Sequence, residues 1–180
     1  MKVISSQESV HWFRDREILL TERDYPIFHG VSHSIEVPIS PDTITGLAYM
    51  ICEMEELSFQ GGVMAFREWN MGSPELDRIG HTGISLMLNN LVLDPENPLY
   101  VLFDPSEWLS LQPFFLQPLL FHWDAFYIPT SALFVVFVSH DEVVYFIATK
   151  AAMSEQFLKI FERWGAKSVP IPNYLLASTT

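Results

Sequence analysis

Two apolar stretches in the last third of the chain constrain the fold more than any other feature. Residues 132–138 and 143–148 are rich in β-branched and aromatic side chains, and a polar segment, Ser-His-Asp-Glu at 139–142, joins them. This pattern predicts a β-hairpin over residues 132–149 with a four-residue loop. Because both strands are apolar on both faces, we expect them to be central in a sheet that is covered on both sides.

The rest of the chain alternates between strand and helix patterns. Strand character is found in residues 31–39, 63–69, 99–103 and 125–128, and the tail at 169–172 is expected to be extended along a sheet edge. Helical spacing follows the Ser-Pro pairs at Ser40 and Ser73 and recurs at 153–164. Together these patterns predict one α+β domain over residues 1–180, with a mostly antiparallel sheet and three to four packed helices.

Two helical segments contain residues that disfavour a helix. Gly80 and Gly83 lie on the apolar side of the helix that follows Ser73, which predicts close packing against a neighbouring element or a later helix start. A further helix is expected to begin at Asp104. Pro113 and Pro118 should interrupt it, because an internal proline removes a backbone hydrogen bond.

A run of 71 residues, 79–149, contains neither lysine nor arginine, although about nine would be usual in a stretch of that length. The same run holds seven carboxylates and 13 of the 25 aromatic residues. The carboxylates are Asp94, Glu96, Asp104, Glu107, Asp124, Asp141 and Glu142. A surface built from this run offers carboxylates and aromatic rings but no cationic side chain. A phosphate or nucleic-acid site is therefore not expected there.

The whole chain is acidic, with a net charge of −12 over 180 residues. Such a field repels polyanions and attracts cationic partners, although acidity also serves solubility alone. The N-terminal residues lack the apolar core of a signal peptide, and no apolar run approaches the roughly 20 residues that span a bilayer. We therefore expect a cytoplasmic protein that does not associate with membranes.

Four side chains near the hairpin are candidates for catalysis. His122 and Asp124 share one face if their segment is extended, and His140 and Asp141 lie in the hairpin loop. Together they could form a hydrolase-type site or bind zinc or iron. Their spacing matches no ligand motif, and a tight loop needs polar residues in any case. We therefore predict no metal and no cofactor, and we keep an enzyme with a His/Asp site as an alternative function.

Other candidate ligands are less favourable. Cys52 is the only cysteine, which excludes an internal disulfide and a cysteine-ligated zinc site. It falls near the C-terminal end of its predicted helix among carboxylates, a position that does not activate a nucleophile. His29 and His33 are four residues apart, which suits a metal pair only on a helix, whereas the local pattern is that of a strand.

The preferred hypothesis is an acidic protein-interaction module that binds or neutralises a basic protein. Tryptophan anchors rimmed by carboxylates are typical of such a surface, although most aromatic residues of the run should be core. The predicted partner-binding residues are Asp104, Glu107, Trp108, Trp123, Asp124, His140, Asp141 and Glu142.

The chain resembles small bacterial immunity proteins that neutralise toxins. The resemblance lies in its size, its α+β pattern, its acidity and the segment Asp-Ala-Phe-Tyr-Ile-Pro at 124–129 that leads into the hairpin; it covers the last third of the chain. It implies inhibition by occlusion, with carboxylates meeting the lysines and arginines of a toxin. A chaperone for a basic protein fits the same composition. A subunit of a larger assembly, including a homodimer, is a further alternative.

Overall fold

The computed structural model describes residues 1–21, 25–27, 33–41, 43–56, 60–70 and 72–172. These residues form five α-helices and ten strands. The helices are α1 (Ser6–Arg14), α2 (Ile44–Glu56), α3 (Pro74–Met87), α4 (Leu111–Phe121) and α5 (Ala151–Phe161), and short 3-10 helices cover Pro105–Ser110 and Glu162–Trp164. The strands are β1 (Lys2–Ile4), β2 (Leu19–Leu20), β3 (Pro26–Ile27), β4 (His33–Pro38), β5 (Gly62–Glu68), β6 (Leu99–Phe103), β7 (Asp124–Pro129), β8 (Phe134–Ser139), β9 (Val143–Ala148) and β10 (Lys167–Val169).

Eight of the strands form one sheet in the order β1-β6-β5-β7-β8-β9-β4-β10, and every neighbouring pair is antiparallel. Strands β2 and β3 form a separate two-stranded sheet. The predicted α+β fold with an antiparallel sheet is therefore confirmed. The hairpin β8–β9 occupies the fifth and sixth positions of eight, so the prediction that it is central is also confirmed.

Both faces of the large sheet are covered, as the apolar strands require. Along β7, Ala125 and Tyr127 belong to one hydrophobic core, whereas Phe126 and Ile128 belong to the other. The first core also contains side chains of α2, α3, α4 and α5, so four helices cover that face. The second contains Phe13 of α1 and Tyr25 beside β3. This alternation is what the period of two in a strand demands.

The hairpin loop is shorter than predicted. Ser139 pairs with Val143, so β8 extends through Ser139 and the loop has three residues instead of four. The Ser139 side chain is buried and accepts a hydrogen bond from the Asp141 amide at 3.2 Å. Glu142 closes the loop with φ +62°, which matches a three-residue hairpin that ends in a left-handed residue.

The expectation that prolines break the helix after Asp104 is wrong for α4, which runs without interruption from Leu111 to Phe121. Pro113 falls in the first turn, where the amide hydrogens have no partner inside the helix. Pro118 is internal, but it lies close to the C-terminal end, and Phe114, Phe115 and Leu119 are fully buried around it. Their burial outweighs the lost bond, which costs about 3 kcal/mol in a helix interior.

The chain ends contribute elements at the edges. Helix α1, which we did not predict, begins at a capping box in which Ser5 and Glu8 bond to each other's amides. At the far edge β10 pairs with β4, and Lys167 lies 2.8 Å from the Glu36 carboxylate. Within the described ranges no helix has both the length and the hydropathy needed to cross a bilayer.

Candidate functional site

One end of the large sheet collects polar side chains, and we call it the hairpin end. It is the end at which β5 finishes, β7 begins and the β8–β9 loop lies. Glu68 is opposite Asp124, and Ala125 is opposite Val138, so the register places the end of β5, the start of β7 and the loop next to one another.

Asp124 is the central group of the hairpin end. Its side chain is buried, and it accepts three hydrogen bonds. Its Oδ1 receives the backbone N–H of His140 at 2.7 Å and the His140 Nδ1–H at 2.8 Å. Its Oδ2 receives the hydroxyl of Tyr25 at 2.8 Å. The carboxylate thus connects the hairpin loop to β7 and to the segment beside β3, which stabilises a buried charge that would otherwise be costly.

The surroundings of Asp124 change the protonation of its neighbours. Burial by itself lowers the pKa of His140, but the hydrogen bond to Asp124 and the charges of Asp124, Asp141 and Glu68 raise it above its ordinary value. For Tyr25, burial and then the Asp124 charge both raise the pKa of the phenol. The site therefore favours a positively charged imidazole and a neutral phenol.

Glu68 completes the cluster and was not among the predicted site residues. Donor atoms of Glu68, Asp124 and His140 all lie within 4.8 Å of one another. A β-bulge between Phe66 and Glu68 shifts the register so that Glu68 faces Asp124. Pairing of β5 with β7 joins residues far apart in sequence, and no local pattern predicts it.

Of the four candidate catalytic residues, three come together. His140 lies between Asp124 and Asp141, whose Oδ1 is 3.6 Å from the His140 Nε2. His122 ends α4 in a left-handed conformation and lies 3.8 Å from the exposed Glu142 instead. A buried carboxylate that orients an imidazole is the arrangement in which histidine acts as a general base. The adjacent Ser139 hydroxyl is buried and bonded, so it is not placed as a nucleophile.

The predicted partner-binding residues divide between the two ends of the sheet. Asp104, Glu107 and Trp108 follow β6 at the end opposite the hairpin loop. Glu107 accepts the Asp104 amide and contacts the amino group of Met1. Trp108 is half-buried beside a cleft of about 210 Å³, which Tyr49, Cys52, Glu53, Leu109 and Gln112 also line. One continuous surface therefore does not contain all the predicted residues.

Two of the predicted partner-binding residues are buried and cannot contact a partner in this structure. Trp123 is fully buried and donates its indole N–H to Asp77 at 2.9 Å. Its ring lies between His81 and Phe121, each with a centroid 5.1 Å away. The second residue is Asp124, which is only 3% exposed. Aromatic composition alone could not tell an anchor from a core ring. His29 and the His33 side chain lie outside the described residues.

The seven carboxylates of residues 79–149 also lie at both ends of the sheet. Asp104 and Glu107 lie at the far end, and the other five lie at the hairpin end, where Asp94 and Glu96 precede the start of β6. Asp94 and Glu96 are exposed, and the side chains of Asp141 and Glu142 are 68% and 67% exposed. Most of the carboxylates of this run therefore lie at one end of the sheet, and they are not spread over one face.

Comparison with models of protein families, with characterised proteins and with solved structures finds no match for this chain. The residues of the hairpin end are therefore the basis for a functional proposal.

Proposed function

We propose that the protein binds a basic protein through the hairpin end of its sheet. The observation that carries this proposal is the gathering at one end of four exposed carboxylates from a lysine- and arginine-free run, Asp94, Glu96, Asp141 and Glu142. Asp141 and Glu142 lie at the loop tip with side chains 68% and 67% exposed. The comparisons add nothing to the resemblance to immunity proteins, so we propose a basic protein in general and not a toxin in particular.

Charge at a loop tip acts mainly on the rate of association. Exposed carboxylates attract a cationic surface over about 8–10 Å at physiological ionic strength and orient the encounter. Each exposed pair adds little free energy once formed, because water and salt screen it. Binding by the hairpin end should therefore be fast at low salt and should slow as salt is added.

A loop variant with Asp141→Asn and Glu142→Gln tests this proposal. The control is an α5 variant with Glu155→Gln and Glu162→Gln, which removes the same amount of charge from α5 and the residue after it. Proteins captured from lysate by the wild type would be identified, and association rates of the captured protein would then be measured by biolayer interferometry. We expect a basic protein whose association slows on the order of tenfold with the loop variant and with added salt. The α5 variant should stay close to wild type.

Two results would oppose the proposal. One is that the captured partners carry no basic surface. The other is that the loop variant and the α5 variant slow association equally, since total charge and not the hairpin end would then be responsible.

Membership of a larger assembly is a second candidate, and a different observation favours it. The outer side of α3 carries three large apolar side chains at helical spacing, Leu76, Ile79 and Leu86, which are 53%, 59% and 63% exposed. Gly83 lies between the last two and leaves a shallow depression there. A second copy of the chain could cover this stripe, and its own α3 offers the same side chains for a two-fold contact.

Sedimentation velocity tests the assembly. We expect the wild type to form a dimer as its concentration rises, and we expect a double variant with Ile79→Asp and Leu86→Asp to stay monomeric. The control is Leu109→Asp, which changes an exposed apolar residue beside the cleft and should leave the dimer unchanged. A wild-type monomer at all concentrations would count against a homodimer.

A further inference from the structure

Three side chains at the hairpin end have the donor atoms and the spacing of a metal site. Glu68 and Asp124 supply carboxylate oxygens and His140 supplies a ring nitrogen, each within 4.8 Å of the others. We propose that Glu68, Asp124 and His140 bind one divalent transition-metal ion. The site would join three separate segments, the end of β5, the start of β7 and the hairpin loop.

The three donor atoms lie close enough together for one small ion to bind after a small adjustment of the side chains. Zinc lies about 2.0–2.2 Å from nitrogen and oxygen ligands, so two of its ligand atoms are roughly 3–4.4 Å apart. Asp124 Oδ1 and His140 Nδ1 are 2.8 Å apart, so these two atoms would have to separate slightly to admit the ion. Binding would release the Nδ1 proton to solvent, and the metal would replace that hydrogen bond. The Glu68 and His140 side chains are both partly exposed, so they have room to adjust.

The groups that contact the proposed ligands are arranged as they commonly are around a bound metal. Ligating carboxylates are usually hydrogen-bonded from behind, and ligating histidines present their other nitrogen to a carboxylate. The Tyr25 hydroxyl holds Asp124 Oδ2 at 2.8 Å, and the backbone N–H of His140 holds Oδ1 at 2.7 Å. The ion would take the place of the Nδ1 proton on Oδ1. The His140 Nε2 faces Asp141 Oδ1 at 3.6 Å, a separation that one small rotation would close. Asp124 and His140 are thus both oriented before any metal arrives.

The charges of Glu68 and Asp124 also favour binding of a cation. Glu68 and Asp124 are opposite each other on neighbouring strands, and Asp124 is 3% exposed. Like charges directly across a strand pair repel, and burial strengthens the repulsion. A divalent cation between them would cancel both charges.

The donor set selects among cations. One imidazole with two carboxylates suits zinc, manganese or ferrous iron, whereas calcium and magnesium prefer oxygen ligands alone. Three protein ligands leave a fourth position for water, which is the pattern of an open site. Asp124 and His140 also belong to the hairpin end, but the metal site is tested without a partner protein, so its failure can be distinguished from failure of the proposed function.

Metal titration of untagged protein, first treated with chelator, tests the site directly. Zn²⁺ binding would be followed by calorimetry, and Co²⁺ binding by its visible absorption. We expect one site per chain, a metal-induced rise in Tm and a shift of the His140 ring-nitrogen resonances. Glu68→Gln and His140→Ala should each weaken the affinity at least about tenfold.

His122→Ala and Glu142→Gln serve as matched controls, since they change one histidine and one carboxylate of the same end outside the trio. They should leave the affinity within about twofold of wild type. Absence of saturable binding would overturn the site. So would binding that survives both Glu68→Gln and His140→Ala. Circular dichroism of each variant establishes that it is folded, and Glu68→Gln removes no described hydrogen bond.

Discussion

At the scale of single residues, the buried carboxylate of Asp124 has the largest structural effect at the hairpin end. It accepts bonds from three donors in two other segments, so the loop, β7 and Tyr25 depend on one side chain. The sequence identified Asp124 and His140 as candidates for one site but did not show that their segments meet. It could not place Tyr25, which is 99 residues away along the chain.

Tyr25→Phe should destabilise the protein by about 1–3 kcal/mol, because it leaves a buried charged acceptor without one of its donors. Urea unfolding measures this loss. Tyr49→Phe is the matched control, since it removes a hydroxyl bonded to the exposed Glu53 at 2.6 Å. We expect the control to change stability by less than about 0.5 kcal/mol. Equal losses in the two variants would contradict the role of the buried Asp124.

Glu8 should titrate at unusually low pH. Hydrogen bonds from Lys2 and then from the Ser5 amide and hydroxyl lower its pKa from 4.5 to about 2. A lowered folded pKa means that the contact is fully present above the unfolded value of 4.5 and is lost as pH falls towards 2. Carboxyl NMR resonances followed during acid titration give the midpoint directly.

Lys2→Gln should move the Glu8 midpoint upward but not fully to its ordinary value, because the bonds from Ser5 remain. High salt should move it in the same direction, since the Glu8 side chain is exposed to solvent and its charge is screened. Lys167→Gln, which removes a comparable lysine–carboxylate pair with Glu36, should leave Glu8 unchanged. An ordinary midpoint in the wild type would refute the effect.

At the scale of elements, α3 shows how a local pattern and a tertiary contact combine. The two glycines on its apolar side predict a close neighbour, and the structure supplies one for Gly80. A Cβ there would lie 2.4 Å from the Trp123 ring and 2.8 Å from Phe121. At Gly83 a Cβ would lie 3.1 Å from the amide of Gln117, which is the end of a flexible side chain.

Gly80→Ala and Gly83→Ala should therefore have opposite effects. Each gains about 1 kcal/mol in helix propensity. At Gly80 the clash with two packed rings should exceed that gain and give a net loss of about 1–2 kcal/mol. At Gly83 the net change should be neutral or stabilising. Thermal unfolding of the two variants provides the comparison, and a stabilised Gly80→Ala would show that Trp123 can move.

At the scale of the whole molecule, the sheet is most protected at its centre. Every residue of β7 and β8 is buried, whereas β1 and β10 at the edges are short and partly exposed. Local opening requires least free energy where few apolar contacts hold a strand. Hydrogen exchange should therefore be slowest in β7 and β8 and fastest in β1 and β10. Fast exchange in β7 would contradict this arrangement.

The local sequence determined the elements and the class of the fold. Alternation, apolar runs and Ser-Pro starts predicted β5 to β9, α2, α3 and α5 close to their observed bounds, because each pattern reports which side of an element meets the core. It also determined that the run from 79 to 149 carries no lysine and no arginine. We did not predict α1, although its capping box at Ser5 and Glu8 is a local signal. Nor did we predict the continuous α4, where the burial of phenylalanines decided the outcome.

The tertiary structure alone decided which polar groups meet. The order of the eight strands places Glu68 beside Asp124 and places Asp104 at the opposite end of the sheet. The packing also buries Trp123 between His81 and Phe121. Strand pairing depends on contacts between residues far apart in the chain, and local pattern carries no information about partner or register. That is why the sequence identified the residues of the hairpin end singly, and only the fold joined them into a site.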